Sequence, residues 1–289
     1  MADTSSDVEG GLEQTQGYAV AYGCILALGL PLNAVSLWIL LRRHSLKSPS
    51  AVFMVNLAMS DLLLVTFLPT RIYFYWTGTW PFGRMACLII QMLFRNNIRS
   101  SSIFITFISV DRLLAIVYPL RSRHLRTSSN AWKAAAVLWL FVVLTNIPEI
   151  NVFLRHSNDN DTSTCFKFLQ RSSVRSAAAY LQLVVVCVLL AVNIVCTAMV
   201  LWTLRSHLSA SARVQNKVNV MLIFAINFVM FTICILPVSL GVTISYSRRV
   251  LMPMVCLASV NCCLDPLLYY FSFDAFWKKK ENNSQAIAL

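Results

Sequence analysis

The stretch Ile103-Phe104-Ile105-Thr106-Phe107-Ile108-Ser109-Val110-Asp111-Arg112 decides the fold. A membrane-like run ends in two opposite charges, and a basic stretch from Tyr118 to Arg126 follows. A charge at a bilayer centre costs roughly 2.5–3.5 kcal/mol on insertion scales, so such a pair belongs where it faces protein or the cytoplasmic edge. The chain around it has 289 residues, of which 57% are hydrophobic and 12% charged. Its mean hydropathy is +0.66. That is more apolar surface than one soluble core can hide. A bilayer-spanning helix needs about 20 mostly apolar residues. Seven segments qualify, near 17–42, 49–76, 84–117, 130–153, 174–205, 213–243 and 250–272. The expected fold class is an all-α membrane protein, a bundle of seven spans. Residues 1–16 form a leader, 17–272 the bundle, and 273–289 a short helix and tail.

Basic residues fix the orientation, because short cytoplasmic loops retain Lys and Arg during insertion. Arg42, Arg43 and Lys47 lie in the first loop, and Arg121, Arg123, Arg126 and Lys133 in or beside the second. Arg205, Arg213 and Lys217 flank the third, and the tail opens with Lys278-Lys279-Lys280. The opposite side holds the acidic leader (Asp3, Asp7, Glu9, Glu13) and the segment with Asp159 and Asp161. The N-terminus is therefore expected outside. The formal net charge of +12 belongs mainly to cytoplasmic loops facing anionic lipid and acidic partners, which argues against nucleic-acid binding. The first sixteen residues lack the basic start and apolar core of a signal peptide, so the first span is expected to serve as its own signal.

Of nine cysteines, Cys24, Cys187, Cys196, Cys234, Cys256, Cys262 and Cys263 fall within the spans, where a small buried thiol is the default. Cys87, at the outer start of the third span, and Cys165, in the outer loop before the fifth, lie in an oxidising compartment. A Cys87–Cys165 disulfide is expected to tether that loop over the bundle. Asn160-Asp161-Thr162 is a glycosylation acceptor on the outer face. Asn282-Asn283-Ser284 repeats the pattern in the cytoplasm, where it stays unmodified.

The polar residues inside the spans narrow the class. Asn33 lies in Gly29-Leu30-Pro31-Leu32-Asn33, Asp61 in Asn56-Leu57-Ala58-Met59-Ser60-Asp61, and Trp139 in the fourth span. Pro237 interrupts the sixth, and Asp265-Pro266-Leu267-Leu268-Tyr269 closes the seventh. This ordered set, with Asp111-Arg112 in the third, resembles the rhodopsin-like (class A) G-protein-coupled receptors over about residues 17–277. Leu68-Pro69-Thr70-Arg71-Ile72-Tyr73, Trp80-Pro81-Phe82-Gly83 and Asn261-Cys262-Cys263-Leu264-Asp265-Pro266 resemble the purinergic nucleotide and lysophospholipid receptor branch. Gly29 to Ala34 and Arg121 to Arg126 are similar to lysophosphatidic acid receptors of the fifth and sixth subtypes.

The resemblance implies that Asp111 holds Arg112 inward at rest, and that activation frees Arg112 to meet a heterotrimeric G protein. A simple interfacial ion pair anchoring a helix end is the alternative. Pro237, Asp265, Pro266 and Tyr269 are implied parts of the same switch. Pro237 also removes a backbone hydrogen bond, giving the sixth span a hinge. Three positions depart from the family pattern: Leu113 replaces a usual tyrosine, Ile235 an aromatic residue and Leu189 a proline. Phe231, one turn before Ile235, is the candidate to carry the packing change.

Asp61 sits near mid-membrane, where a carboxylate needs polar partners or a counter-ion. The resemblance places Ser101, Asn261 and Asp265 around it, and such oxygens suit a hard cation. An allosteric sodium ion is the functional expectation, a water-filled polar network the alternative, and no other cofactor is implied.

The outer half is basic. Arg71, Arg95 and Arg99 would be expensive facing lipid, so they point inward or snorkel outward. Arg95 and Arg99 share a helical face, with Asn96 and Asn97 beside them. A guanidinium fork suits a phosphate or carboxylate head group. Lys167, Arg171, Arg175, Arg248 and Arg249 are further candidates, although loop charges are usually only solvated. Tyr73, Phe74, Tyr75 and Trp76 could line a tail site, while an interfacial belt is the competing reading for Trp76 and Trp80. The expected ligand is an anionic lipid such as lysophosphatidic acid, with nucleotides and small carboxylates as alternatives. A transporter is the other class weighed, but inverted repeats and paired broken helices are missing from the sequence. No enzyme is expected: His44, His124, His156 and His207 lie in loops or at span ends without metal-ligand spacing. In the tail, Phe273, Phe276 and Trp277 with Lys278 to Lys280 suggest a brief amphipathic helix on the inner leaflet. Ser284 is the only hydroxyl after Ser272, so arrestin recruitment is expected to be weak.

Overall fold

Residues 3–43, 46–148, 150–151, 165, 177–206, 214–244 and 248–287 are described in a computed structural model of the chain. They form helices joined by turns, with no strand among the described residues. The first span is one helix, Asp3–Arg43, which carries the leader with it and passes through Pro31. The second comprises Pro49–Thr66 and Leu68–Thr77, the third Gly83–Val117, and the fourth Ser128–Leu144. The fifth is Ala177–Ser206. The sixth comprises Val214–Val229, a π-helical turn Met230–Ile235, and Leu236–Ile244. The seventh is Arg248–Ile287.

Local chemistry sets these boundaries. The Ser48 side chain accepts from the Ala51 N–H, and Pro49 occupies the first turn, where its missing donor costs nothing. Pro69 cannot donate to Val65, and the second span breaks at Phe67. Gly78, at φ 70°, takes the left-handed cap that ends this span, its N–H bonded to the Phe74 carbonyl at 2.9 Å. Thr127 caps the fourth span by accepting from the Asn130 N–H at 3.3 Å. That span was expected to run unbroken over 130–153, but the regular helix stops at Leu144 and turns at Thr145-Asn146. Pro148 explains the stop, because it cannot bond the Leu144 carbonyl and its ring crowds it. With 17 residues, Ser128–Leu144 is the shorter apolar helix beside six that are long and apolar enough to cross a membrane.

The tail was expected as a separate amphipathic helix. It is helical to Ile287, but continuous with the seventh span. No Gly or Pro stands between Pro266 and Ile287, so the sequence supplies no stop there.

The second span is the most enclosed, and the first and fifth are the least. The main core joins Tyr22, Leu57, Phe104, Ile108 and Phe231, all at or near zero exposure. Gly29 admits the first span close to its neighbours: a Cβ there would lie 3.2 Å from Cys262 Sγ and 3.3 Å from Val65. Asn33 donates to the Cys262 carbonyl at 2.7 Å, and Trp139 Nε1 donates to Asn56 Oδ1 at 2.9 Å. These side-chain bonds tie the first span to the seventh and the fourth to the second. Cys87 and Cys165 form the expected disulfide, with Cα atoms 5.6 Å apart, and Gln91 donates to the Cys165 carbonyl at 3.0 Å.

Candidate functional site

Three polar stations are strung along the bundle. At mid-depth, Asp61 is fully buried and accepts from Asn97 Nδ2 at 2.9 Å. Its side chain also faces Asp265 and Ser101. Asn261 Nδ2 donates to Asp265 Oδ2 at 3.1 Å. Asp61 Oδ2, Ser101 Oγ, Asn261 Oδ1 and Asp265 Oδ1 are each buried without a hydrogen-bond partner. Four such oxygens, two of them on carboxylates, are ligands of the kind that hold a hard cation. Asn97 follows Arg95 by two residues in sequence, yet it serves this station, as do Ser60 and Ser100, whose hydroxyls lie 2.6 Å apart. Tyr269 Oη is likewise buried without a partner, and Pro266 lies beside Asp265 in the seventh helix.

At the inner end, the geometry departs from the expected pairing. Asp111 accepts from Arg126 through two bonds, Nε to Oδ1 at 2.8 Å and Nη2 to Oδ2 at 3.3 Å, and also from the Ser50 hydroxyl. Arg112 has no ion pair among the described residues, and its Nε is buried without a hydrogen-bond partner. The physical reason is reach. Arg126 closes a short loop that brings a planar fork onto the carboxylate, whereas adjacent residues on a helix point about 100° apart. Leu113 packs with Val110 against Cys196, Val200, Leu204 and Phe224, joining the third, fifth and sixth spans.

The sixth span is wound irregularly before Pro237. Pro237 has no N–H for the Ile233 carbonyl, and the preceding residues rewind so that the Leu236 N–H bonds to the Phe231 carbonyl, five residues back. Phe231 and Ile235 are both buried there.

At the outer end, Arg71 is 3% exposed, and its guanidinium lies 4.4 Å over the Phe94 ring and 5.7 Å over that of Tyr22. Its Nη1 donates to the Tyr22 hydroxyl at 3.3 Å, while Tyr22 stacks on Tyr75 at 5.5 Å. Arg99 is also buried, but it reaches across the bundle: Nε to Gln182 Oε1 at 2.9 Å, and Nη1 to Thr145 at 3.2 Å and Asn146 at 3.3 Å. The two arginines therefore engage different sides of the third span, and Arg95 is half-buried one turn before Arg99. The aromatic set divides, with Phe74 and Tyr75 buried and Tyr73 and Trp76 exposed. Trp80 is not a belt residue, being buried and donating to the Gly83 carbonyl at 2.8 Å. Lys167, Arg171, Arg175 and Asn160 lie outside the described residues, as do the side chains of Arg248 and Arg249.

Sequence reasoning missed Ser50 and gave Arg126 only a charge-counting role. It also missed Asn193 and Asn227, whose amides donate to Thr106 at 2.8 Å and Ser109 at 2.7 Å. An asparagine inside an apolar span was the available signal.

The model of the family described as 7 transmembrane receptor (rhodopsin family) matches residues 32–269. Over 278 residues the chain is 35% identical to the lysophosphatidic acid receptor 6 of Mus musculus, covering 88% of this chain and 80% of that relative. It is also 35% identical to the lysophosphatidic acid receptor 4 of Homo sapiens (89% of this chain, 74% of the relative). The same identity holds with the lysophosphatidic acid receptor 5 of Bos taurus (90% and 76%).

Proposed function

The chain belongs to the rhodopsin family of seven-transmembrane receptors, multi-pass proteins of the plasma membrane that are not enzymes, and on that premise we propose that it binds an anionic lipid and activates heterotrimeric G proteins. The observation that carries the ligand reading is Arg71, a guanidinium buried in the outer half among Tyr22, Phe94 and Tyr75. A cation held on aromatic faces next to apolar helices suits a phosphate head with an acyl tail. The relatives' names make lysophosphatidic acid the first lipid to try. Arg99 offers a second cation, with Arg95 one turn before it; Lys167 and Arg175, in and after the outer loop by sequence, complete the proposed set. The N-terminus faces out, and the inner loops meet the G protein.

The test is a panel of lysophosphatidic acid, nucleotides and small carboxylates in a nucleotide-exchange assay with purified G protein, with arrestin recruitment read alongside. Lysophosphatidic acid should stimulate exchange, and Arg71→Ala should lower its potency by about tenfold to 100-fold, as loss of a charge-assisted hydrogen bond worth ~1.5–3 kcal/mol implies. Stimulation by a nucleotide or carboxylate alone would overturn the lipid reading. Unaltered potency in Arg71→Ala and Arg99→Ala would overturn the head-group site.

At mid-depth, Asp61, Ser101, Asn261 and Asp265 would hold a sodium ion, whose single charge would offset one of the two buried carboxylates. Replacing choline chloride with sodium chloride at constant ionic strength should weaken agonist binding, and Asp61→Asn should abolish that response. Equal binding in both salts would leave the water network or a shared proton as the account of this station.

A further inference from the structure

No Asp or Glu stands between Asp161 and Asp265, so the fifth and sixth spans and the loop between them carry no carboxylate. The charges near the inner end of the sixth span are Arg213 and Lys217, of the same sign as Arg112. An ion pair from Arg112 to that helix therefore has no acidic partner, and Asp111 is already engaged by Arg126 and Ser50. What crosses from the third span to the sixth is neutral. Asn227 Nδ2 donates to Ser109 Oγ at 2.7 Å, with both residues buried. Asn227 lies three residues before the π-helical turn that begins at Met230, and so on the inner arm of the Pro237 hinge. Leu113 packs with Cys196, Val200, Leu204 and Phe224, so the neighbouring contacts between the third, fifth and sixth spans are apolar.

We propose that the Asn227–Ser109 hydrogen bond is the clasp that holds the inner arm of the sixth span against the third at rest, in place of an ion pair. Swinging that arm about Pro237 must break this bond, and hydration of the buried, unpartnered Asn227 Oδ1 would offset part of that loss. The clasp is a property of the bundle itself; only its consequence, the opening of a G-protein cleft, rests on the receptor reading.

Hydrogen exchange read by mass spectrometry on the full-length protein in lipid nanodiscs, without ligand or G protein, tests it. Asn227→Ala and the milder Ser109→Ala should each speed amide exchange in peptides covering the inner half of the sixth span by about threefold. That factor converts the ~0.6 kcal/mol average of interhelical hydrogen bonds in membranes. The double variant should do no more than either single one, since both remove the same bond. Ser109→Thr, which keeps the hydroxyl, should preserve slow exchange. Asn56→Ala, which removes the buried bond to Trp139, should leave this segment unchanged. Unchanged exchange in Asn227→Ala and Ser109→Ala, or equal acceleration by Asn56→Ala, overturns the clasp. Basal nucleotide exchange on added G protein, measured on the same variants, should rise with the opening. Opening without that rise keeps the clasp and overturns the G-protein reading instead.

Discussion

Asp111 and Arg112 are neighbours in sequence with different fates. Asp111 is 4% exposed and satisfied by a two-bond guanidinium fork and a hydroxyl, so Arg126 fastens the second inner loop to the third span. Removing one member of such a pair leaves the other buried and uncompensated, which destabilises by several kcal/mol in a fully buried setting. Arg126 is 28% exposed, so solvent screening brings the expectation down to about 1–2 kcal/mol. Arg126→Gln should therefore lower the thermal midpoint by several degrees. Arg112→Ala should not lower it, since it breaks no ion pair, yet it should abolish agonist-stimulated nucleotide exchange. Differential scanning fluorimetry and the exchange assay on the two variants separate anchor from switch. Equal thermal losses would show that Arg112 is as firmly paired as Arg126.

Among the elements, the sixth span shows how one residue reshapes a helix. Pro237 forces a π-helical turn that swings Phe231 and Ile235 into the core instead of leaving a simple bend. Pro237→Ala restores a donor for the Ile233 carbonyl and lets the turn relax to α-helix, a gain of about 0.5–1.5 kcal/mol from the recovered bond. The variant should melt later and respond to agonist with less stimulated exchange; a normal maximal response would mean that the arm swings about another point. The irregular turn before Pro237 was legible in the sequence because a proline acts on the four residues before it. The same rule, applied to Pro148, would have stopped the fourth span at Leu144. Legibility failed where partner choice depends on how distant segments dock. Hydropathy places Asn227 and Ser109 in membrane spans, but no spacing rule says that they meet. The fork from Arg126 to Asp111 likewise depends on a loop conformation. For the outer arginines, desolvation cost left Arg71 and Arg99 either pointing inward or snorkelling outward; both are buried, and no sequence rule says that they face different neighbours.

For the whole molecule, charge asymmetry and covalent chemistry together give the expected orientation of the bundle. The acidic leader and the Cys87–Cys165 disulfide lie toward one end, and Arg126, Arg205 and Lys278 toward the other. Positive loops resist translocation, so the disulfide end is expected in the oxidising compartment. Two glycosylation acceptors with the same local pattern, Asn160 and Asn282, are expected on opposite sides of the membrane. They form an internal comparison, because the sugar is added only where the chain has crossed the membrane. Endoglycosidase treatment of the protein from mammalian cells should lower its apparent mass. That shift should vanish in Asn160→Gln and persist unchanged in Asn282→Gln. A glycan that depends on Asn282 would invert the bundle, place the basic loops outside, and remove Arg112 and the Asn227 clasp from any contact with a cytoplasmic G protein.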